Sequence, residues 1–449
     1  MIAFFYILMY YKFYNKNLFY IIYFKEILKK MKLKRTCPIC DCEDGNKLYG
    51  IDFAKSKSEF IPEHYDIVYC SNCGFIFNDT KWTQKDYDKY YSTTQKYLYM
   101  YHGGYGGVNE QEVKKYNELI DIIEKYISKD ANILDIGCDK GGLLMNLKKR
   151  GFNNLCGLDV SSFQKNVLIE NNIDYISSSF VDMHKIDKKF DCIISSQVIE
   201  HIYDLKSLVN NIYNILNDNG IIYIDVPNSS EYSSHFIKPF HYFDIEHINH
   251  FDINSISNLF IKCQMLHNGC SNEQFVGNNK YPVLYSIFRK SINNKQINKD
   301  YSNIKNINEY INISKEKENY KIGTYFLWGF GSNLRRLLLD DRYFNGINIA
   351  GIIDKNKSLS GLKIKNYKNE ELEIFTPEIL ENYKDANIII TSSLFSEQIR
   401  NDLLNNNFAG KIYEIDRAEQ SRAEQSRAEQ SRAEQSRAVM FEYAYRKTA

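Results

Sequence analysis

Two acids and a glycine-rich turn, at the spacing of one strand–helix–strand unit, are the residues most suited to chemistry in this 449-residue sequence. An apolar run ends in Asp135, the turn carries Gly137 and Gly141, and the next short strand ends at Asp159. Glycines at such a turn let the backbone approach a ligand, and an acid at the tip of the next strand can accept both hydroxyls of a ribose. The pattern therefore predicts a site for a nucleoside-containing cofactor, although a glycine turn that serves only helix packing would look similar.

The residue between the glycines distinguishes the candidate cofactors. A dinucleotide fingerprint would run from Gly137 to Gly142, but its middle position is Asp139, and an acid there would face a pyrophosphate. The stretch instead resembles the first motif of class I S-adenosylmethionine methyltransferases, D-x-G-x-G-x-G, with Asp139 replacing the middle glycine. The resemblance implies that Asp135 and the loop hold the amino-acid end of the cofactor and that Asp159 holds the ribose. Aspartate tolerates a left-handed backbone better than most residues, so we expect the turn to form.

The residues after the third predicted strand carry a further implication of this resemblance. In class I methyltransferases the residues just past that strand border the adenine, which here points to Ser179 and Phe180. The acid usual at this place is absent unless Asp182 serves.

Polar residues also follow the fourth predicted strand, Phe190–Ile194, and include Gln197 and His201. They resemble the family motif whose loop passes beside the sulfonium and the acceptor. Ligands of doubly wound sheets bind at the carboxyl ends of strands near the switch point, where both side chains would fall. His201 can equally be a histidine at the start of a helix that bonds to the backbone.

Four cysteines form two Cys-x-x-Cys pairs, Cys37 with Cys40 and Cys70 with Cys73. Two such hairpins can complete a closed tetrahedral zinc site, which would be structural because no position remains for water. Cys42 could replace Cys40 as a ligand, and a redox pair is the alternative interpretation. A lobe with so small a core would need the metal to fold.

Five of the nine histidines lie close together in the sequence: His201, His235, His241, His247 and His250. Their spacings match no common metal-ligand motif. The segment from Asp244 to Phe251 instead resembles the Tyr-x-Glu-His motif of sugar C-methyltransferases, with Asp244 in place of the tyrosine. That family also has an N-terminal four-cysteine zinc lobe and a C-terminal nucleotide-binding-like lobe. The resemblance extends in order from Met31 to Asp416.

The resemblance implies an S-adenosylmethionine-dependent enzyme that methylates carbon on a nucleotide-linked keto sugar. Such a reaction needs a base next to a carbonyl. His247 is the first candidate because its ordinary pKa is nearest neutrality, Glu246 is the second, and His201 is the third. O- or N-methylation of a glycan precursor, an NAD-dependent sugar-modifying enzyme and a non-catalytic scaffold are the alternatives. No Tyr-x-x-x-Lys pair occurs between 190 and 260, which disfavours the NAD-dependent class.

The predicted fold is α/β, with a central Rossmann-like doubly wound sheet, a small N-terminal zinc-ribbon lobe and a C-terminal Rossmann-like lobe. The C-terminal lobe is expected from a second strand and Gly-x-Gly turn at 325–332 followed by alternating strands and helices. The predicted boundaries are 1–30 for a hydrophobic extension, 31–84 for the zinc lobe, 85–111 for a Tyr-rich linker or lid, 112–277 for the methyltransferase domain, 278–320 for a linker, 321–416 for the C-terminal domain and 417–449 for an Arg-Ala-Glu-Gln-Ser repeat tail.

Composition limits the partners and the compartment. The chain has 57 Lys and Arg against 56 Asp and Glu, so a nucleic-acid partner is disfavoured because phosphate binding needs clustered positive charge. The apolar residues 1–24 are interrupted by Lys12 and Lys16, which makes a membrane span unlikely, although an interfacial anchor stays open. Met31 is the preferred start. Cysteine usage fits a reducing cytosol, a small-molecule substrate is expected, and the sequence does not indicate an oligomeric state.

Overall fold

The protein is described by a computed structural model that covers residues 30–415 except 58, 94–109, 161–164, 277–278, 292–295, 317–319, 394 and 407. The described chain divides into two compact units. The first comprises the chain up to Asp52 with Phe60–His235 and Tyr242–Asn312, and the second comprises Phe53–Glu59, Phe236–His241 and the chain from Ile313 onward. Each unit therefore combines segments that are distant in sequence.

Strands and helices alternate through most of the described chain. The strands are β1 (Met31–Lys32), β2 (Asp44–Asp52), β3 (His64–Cys70), β4 (Ile76–Asp79), β5 (Ile133–Ile136), β6 (Leu155–Asp159), β7 (Asp174–Ser177), β8 (Phe190–Ser196), β9 (Leu216–Pro227), β10 (Asn249–His250), β11 (Cys263–Ser271), β12 (Phe275–Val276), β13 (Asn279–Lys280), β14 (Val283–Lys290), β15 (Thr324–Trp328), β16 (Asn348–Ile353), β17 (Lys363–Lys365), β18 (Glu371–Phe375), β19 (Asn387–Ile390) and β20 (Ile412–Glu414). The α-helices are α1 (Gln84–Thr93), α2 (Glu110–Ile123), α3 (Gly142–Lys149), α4 (Lys165–Glu170), α5 (Leu205–Ile215), α6 (Ile253–Leu259), α7 (Asn303–Ser314), α8 (Ser332–Leu337) and α9 (Ser396–Asn405).

The centre of the first unit is a seven-stranded sheet with the order β11-β14-β9-β8-β5-β6-β7. Strands β9, β8, β5, β6 and β7 pair in parallel, whereas β14 is antiparallel to both β9 and β11. The chain runs from β5 outward to β6 and β7 and then returns to β8 on the other side of β5. This reversal creates a switch point between β5 and β8, where a ligand crevice opens at the carboxyl ends of the strands. The predicted doubly wound α/β sheet is confirmed.

Helices cover both faces of this sheet, which explains the continuous apolar runs of its inner strands. Every residue of β5 is buried, because a strand covered on both faces meets no water. Ile133 packs in a cluster with residues of α2 and α3, whereas Leu134 packs in the cluster that contains residues of α5. Successive side chains of β5 thus point into core clusters on opposite faces of the sheet. This packing fixes the position of the strand and of the loop that follows it.

The segment 278–320 differs from its interpretation as a linker. Residues Val283–Lys290 form β14, an inner strand that lies between β9 and β11 in the main sheet. Val283 to Phe288 are all buried, so the strand has the continuous apolar pattern of an inner strand. The Asn- and Lys-rich residues that follow β14 favour the interpretation of the whole segment as a linker. Whether a short apolar run such as β14 joins a sheet depends on its pairing with strands that are distant in sequence.

The sheet at the beginning of the described chain is antiparallel and has the order β1-β2-β3-β4-β10. Its last strand comes from much later in the sequence, with Asn249 opposite Phe77 and His250 opposite Ile76. The sheet that carries the two cysteine pairs is therefore completed by the segment that directly follows His247.

The second unit contains a six-stranded sheet with the order β17-β18-β16-β15-β19-β20, in which only β17 pairs antiparallel. The turn after β15 begins at Gly329, which has a φ of 108°. The backbone N–H of Phe330 in this turn donates to Oδ2 of Asp354, just past β16, over 2.8 Å. A strand, a glycine turn and an acid after the next strand give this unit a nucleotide-binding type of architecture.

No helix within the described residues is long and apolar enough to cross a membrane. The predicted hydrophobic extension, most of the Tyr-rich linker and the repeat tail lie outside the described residues. The first part of the Tyr-rich segment is described and forms α1.

Candidate functional site

Left-handed backbone conformations shape the loop that follows β5. Gly137 and Gly141 each have a φ of 74°, and Asp139 between them has a φ of 43°. The conformation of Asp139 is the one expected where aspartate replaces the middle glycine. A Cβ atom at Gly137 would lie 2.5 Å from Cγ2 of Val198, in the loop after β8. Position 137 therefore needs glycine for its backbone angle and for its close approach to the neighbouring loop.

Acidic side chains meet around this loop at the carboxyl ends of β5, β6 and β9. The backbone N–H of Asp139 donates to Oδ2 of Asp159 over 3.2 Å. Asp135 is 4% exposed, and burial together with the charges of Asp159 and Asp225 raises its pKa to about 8. Such a concentration of acids repels a pyrophosphate and suits a ligand that carries positive charge. The site therefore fits the sulfonium and amino group of S-adenosylmethionine better than a dinucleotide.

Asp225 is a residue that the sequence interpretation missed. It is buried near the end of β9 and accepts hydrogen bonds from Oγ of Ser196 at 2.8 Å and from Nε2 of Gln197 at 2.8 Å. Its Oδ1 also accepts the backbone N–H of Gln197, which has a φ of 55°. Asp225 thus holds the loop after β8 in a strained conformation. An acid within the apolar run 221–226 of β9 was the available signal.

The predicted adenine-side residues follow β7. The N–H of Ser178 donates to the backbone oxygen of Asp159 over 3.2 Å, so Ser179 and Phe180 continue from the same edge of the sheet. The ring of Phe180 packs against the core, and its carbonyl accepts from Nδ2 of Asn211 at 3.1 Å. Asp182 forms an ion pair with Lys185, three residues along its own turn.

The three sequence-predicted catalytic residues, His201, Glu246 and His247, lie together. Nδ1 of His201 is 3.0 Å from the backbone oxygen of Glu246, and the rings of His201 and His247 meet edge to face with centroids 4.8 Å apart. Oε1 of the buried Glu246 accepts from Oη of Tyr90 at 3.0 Å. Tyr90 lies on α1, so the Tyr-rich segment contributes directly to this cluster. The segment that carries Glu246 and His247 precedes β10 and is not part of a strand.

Glu200 joins this cluster and was also missed. It is 1% exposed, and its Oε1 lies 3.5 Å from Nε2 of His201. Burial raises the pKa of Glu200 to about 8. A buried acid beside a histidine is a frequent feature of functional sites, because structure alone seldom favours it. Its neighbour in the sequence, His201, was the available signal.

The cysteine-bearing sheet fixes the segment that carries Glu246 and His247. Oη of Tyr65 on β3 donates to the backbone oxygens of Phe243 and Asp244 at 2.7 and 3.0 Å. Nδ2 of Asn78 on β4 donates to the backbone oxygen of His247 at 3.3 Å. The position of the candidate catalytic residues therefore depends on the N-terminal sheet as well as on the central one.

The four cysteines of the two Cys-x-x-Cys pairs converge. Their sulfur atoms all lie within 4.8 Å of one another, with Cys37 to Cys73 at 3.6 Å and Cys40 to Cys70 at 3.4 Å. Four sulfurs at about 2.3 Å from a tetrahedral zinc are about 3.8 Å apart, so the cluster needs little adjustment to hold one. Cys42 lies outside it and donates instead to the backbone oxygen of Asp44.

The thiols of this cluster are not equivalent. Hydrogen bonding with Cys37 lowers the pKa of Cys40 and lowers that of Cys70 to about 7. Hydrogen bonding with Cys40 raises the pKa of Cys37 and of Cys73, so Cys40 and Cys70 are the two that most readily carry the thiolate form that binds metal. Asn72 additionally donates its backbone N–H to Sγ of Cys70 at 3.3 Å, as expected around a bound thiolate.

Comparison with known proteins finds a family match for the part of the chain that carries β5 to β10. A family model described as a methyltransferase domain matches residues 108–264. The ubiquinone biosynthesis O-methyltransferase of Rickettsia bellii (strain OSU 85-389) is 27% identical over 139 residues, which cover 29% of this chain and 56% of the relative. N-methyltransferase 4 of Papaver somniferum is 30% identical over 121 residues, which cover 25% of this chain and 33% of the relative. The chain thus spans about half the length, or less, of the curated relatives it matches.

A solved structure gives a further comparison. The 1,6-didemethyltoxoflavin-N1-methyltransferase of Burkholderia thailandensis, with bound 1,6-didemethyltoxoflavin and S-adenosylhomocysteine, is 13% identical, with a TM-score of 0.38 over 48% of this chain and 95% of that one. The family match and the acid-lined glycine loop at the switch point agree on the same part of the molecule. Residues 108–264 are a class I, S-adenosylmethionine-dependent methyltransferase domain.

Proposed function

We propose that this protein transfers a methyl group from S-adenosylmethionine to a carbon atom of a nucleotide-linked keto sugar. The observation that carries this proposal is the grouping of His201, Glu246 and His247 beside the loop after β8, where an acceptor would meet the cofactor. The four-cysteine cluster and the nucleotide-binding type of sheet in the second unit support it, since both accompany this motif in the sugar C-methyltransferases that the sequence resembles.

Residues at the carboxyl ends of the strands would hold the cofactor. Asp135 and the 137–141 loop suit its amino-acid end, Asp159 suits the ribose, and Ser179 and Phe180 adjoin the adenine. Bound there, the cofactor supplies a methyl group on a positively charged sulfur. Gln197, fixed by Asp225, lies in the loop after β8, four residues before His201 of the histidine cluster.

Carbon methylation begins with removal of the proton next to the keto group. The electron pair of that C–H bond forms an enolate, whose carbon attacks the methyl group, while the C–S pair leaves with the sulfur. The products are the methylated ketone, S-adenosylhomocysteine and one proton. His247 and Glu246 are the candidates to take the proton, and Tyr90 fixes one oxygen of Glu246.

Oxygen methylation is the second candidate, because the ubiquinone biosynthesis relatives are O-methyltransferases. It removes a hydroxyl proton and needs no enolate. Analysis of the product by NMR separates the two, since only carbon methylation forms a new carbon–carbon bond. Calorimetry with S-adenosylhomocysteine and with NAD tests the cofactor class, and binding of NAD alone would contradict both forms of methylation.

We expect the His247→Ala variant to lose exchange of solvent deuterium at the carbon next to the keto group of a nucleoside-diphosphate keto sugar, by at least about a hundredfold. The affinity for S-adenosylhomocysteine should stay unchanged, because His247 lies outside the cofactor loop. His235→Ala, a substitution at a histidine outside the cluster, is the control. Exchange at the wild-type rate in His247→Ala would contradict a role for this residue.

The pKa of Asp135 predicts how cofactor binding depends on pH. The ammonium group of the ligand favours the ionised carboxylate, so the affinity for S-adenosylhomocysteine should rise as the pH approaches about 8 and then level off. The free protein should show the opposite trend in stability. An acid whose pKa is raised from 3.8 to about 8 in the folded state stabilises that state only at low pH, and this stability is lost as the pH rises between those values.

Calorimetry from about pH 6 to about pH 9 checks the predicted pH dependence. Asp135→Asn should bind weakly and with a flat profile. A wild-type affinity that does not change with pH would show that Asp135 does not meet the charged end of the ligand.

A further inference from the structure

Glu200, His201 and His247 bring one carboxylate and two imidazoles to one point in the first unit. Their ligand-type atoms all lie within 4.8 Å of one another. Two imidazoles and a carboxylate are a recurrent ligand set for divalent first-row metals, and they leave coordination positions open for a substrate. We propose that these three side chains bind a divalent metal ion, separate from the four-cysteine site.

The environment of Glu200 is an independent observation that points to a cation. Apart from its own backbone N–H, no residue that the structure describes donates a hydrogen bond to either of its carboxylate oxygens. The side chain is nevertheless almost completely buried. Buried carboxylates are retained where they are paired or where they coordinate a metal. A divalent ion held between Glu200 and the two imidazoles would place a full positive charge next to this carboxylate.

The orientation of His201 also suits a metal ligand. A metal-binding histidine usually donates its other ring N–H to a carbonyl or carboxylate, which fixes the tautomer and the ring. Nδ1 of His201 lies 3.0 Å from the backbone oxygen of Glu246, so Nε2 is the nitrogen that faces Glu200. The backbone of His247 is fixed in turn by Asn78. Two of the three ligands are therefore held in place by neighbouring residues.

The ligand types distinguish this site from the cysteine cluster. Four thiolates form a closed site that selects zinc, whereas one carboxylate and two imidazoles also accept harder ions such as Mn²⁺. The catalytic consequence rests on the proposed function. An ion here would neutralise the negative charge that develops on the keto oxygen of the acceptor. His247 would then act as a ligand, and Glu246 would take the proton.

Titration with Mn²⁺ of the whole chain, first supplied with zinc for the cysteine cluster and then followed by electron paramagnetic resonance, tests the site. We expect about one Mn²⁺ per chain, displaced by added Zn²⁺ because zinc binds such ligands more tightly. Glu200→Gln, His201→Asn and His247→Asn should each weaken Mn²⁺ binding at least tenfold. Binding of S-adenosylhomocysteine reports that each variant is folded.

A second Glu–His pair provides the matched control. Oε2 of Glu231 lies 3.8 Å from Nδ1 of His235, outside the proposed site and with both side chains partly exposed. Glu231→Gln and His235→Asn should bind Mn²⁺ as the wild type does. The site is refuted if the wild type binds neither Mn²⁺ nor Zn²⁺ beyond the zinc of the cysteine cluster, or if Glu200→Gln and Glu231→Gln bind equally.

The metal site and the proposed function fail in different experiments. Metal binding is measured without an acceptor, so an error in the proposed acceptor leaves that measurement unaffected. Glu246→Gln should lose deuterium exchange while keeping Mn²⁺, whereas His247→Asn should lose both. Loss of exchange in His247→Asn with Mn²⁺ binding intact would return this residue to the role of base and contradict its role as a ligand.

Discussion

The Gly137→Val variant should bind S-adenosylhomocysteine at least about a hundredfold more weakly than the wild type. A β-branched residue at a φ of 74° is strained, and such strain costs on the order of 1–3 kcal/mol. Its Cβ would also lie 2.5 Å from Cγ2 of Val198, so the loops after β5 and β8 would have to separate. The affinity should fall because both loops border the expected cofactor position. Isothermal titration calorimetry measures this loss of affinity.

Gly151→Val separates backbone strain from crowding at the site. Gly151 has a φ of 90°, yet a Cβ there meets no atom within 4 Å. This variant should lose stability through strain and keep its affinity for S-adenosylhomocysteine. Equal affinity of Gly137→Val and the wild type would mean that the cofactor binds elsewhere, whereas equal weakening by both substitutions would mean that general destabilisation causes the effect.

Replacing a zinc ligand should have the largest effect on stability. We expect Cys70→Ser to lose bound zinc and to destabilise the first unit by at least about 4 kcal/mol, which corresponds to a decrease of about 10 °C in the melting temperature. The apolar residues of the N-terminal sheet pack in one core cluster with residues of the central sheet, and a bound zinc would hold the two cysteine hairpins in place against that core. Metal analysis and thermal unfolding measure the two effects. Cys42→Ser is the matched control, because Cys42 lies outside the cluster and should be replaceable with little loss.

Loss of zinc should also impair turnover more than cofactor binding. The strand β10 pairs with β4 of the cysteine-bearing sheet, and Asn78 on β4 holds the backbone of His247. The glycine loop and Asp159 belong to the central sheet and do not use these contacts. A Cys70→Ser protein that retained zinc, or that melted like the wild type, would contradict a structural zinc in this lobe.

The cofactor loop could be predicted from sequence because its determinants are local. Glycines at 137 and 141 and acids at the tips of two consecutive strands are a short-range pattern, and the strands themselves are continuous apolar runs. The four-cysteine cluster could also be predicted from sequence, because each Cys-x-x-Cys pair is a local motif and the fold needs only to bring the two pairs together. Even so, the choice between Cys40 and Cys42 as a ligand depended on the fold of the hairpin.

Tertiary structure alone decided the arrangement of the catalytic cluster. His201 and Glu246 are 45 positions apart in the sequence and meet because β10 joins the N-terminal sheet while β8 belongs to the central one. Tyr90 bonds to Glu246 from a helix in the segment that the sequence predicts to be a linker or lid. Burial is likewise a collective property. Glu200 is a candidate functional residue because the packing around it excludes water and raises its pKa. No local sequence pattern encodes that environment. The sequence by itself thus determined the cofactor class and the elements that carry the site, because these depend on neighbouring residues. Long-range strand pairing decided which side chains are buried next to one another in the catalytic cluster.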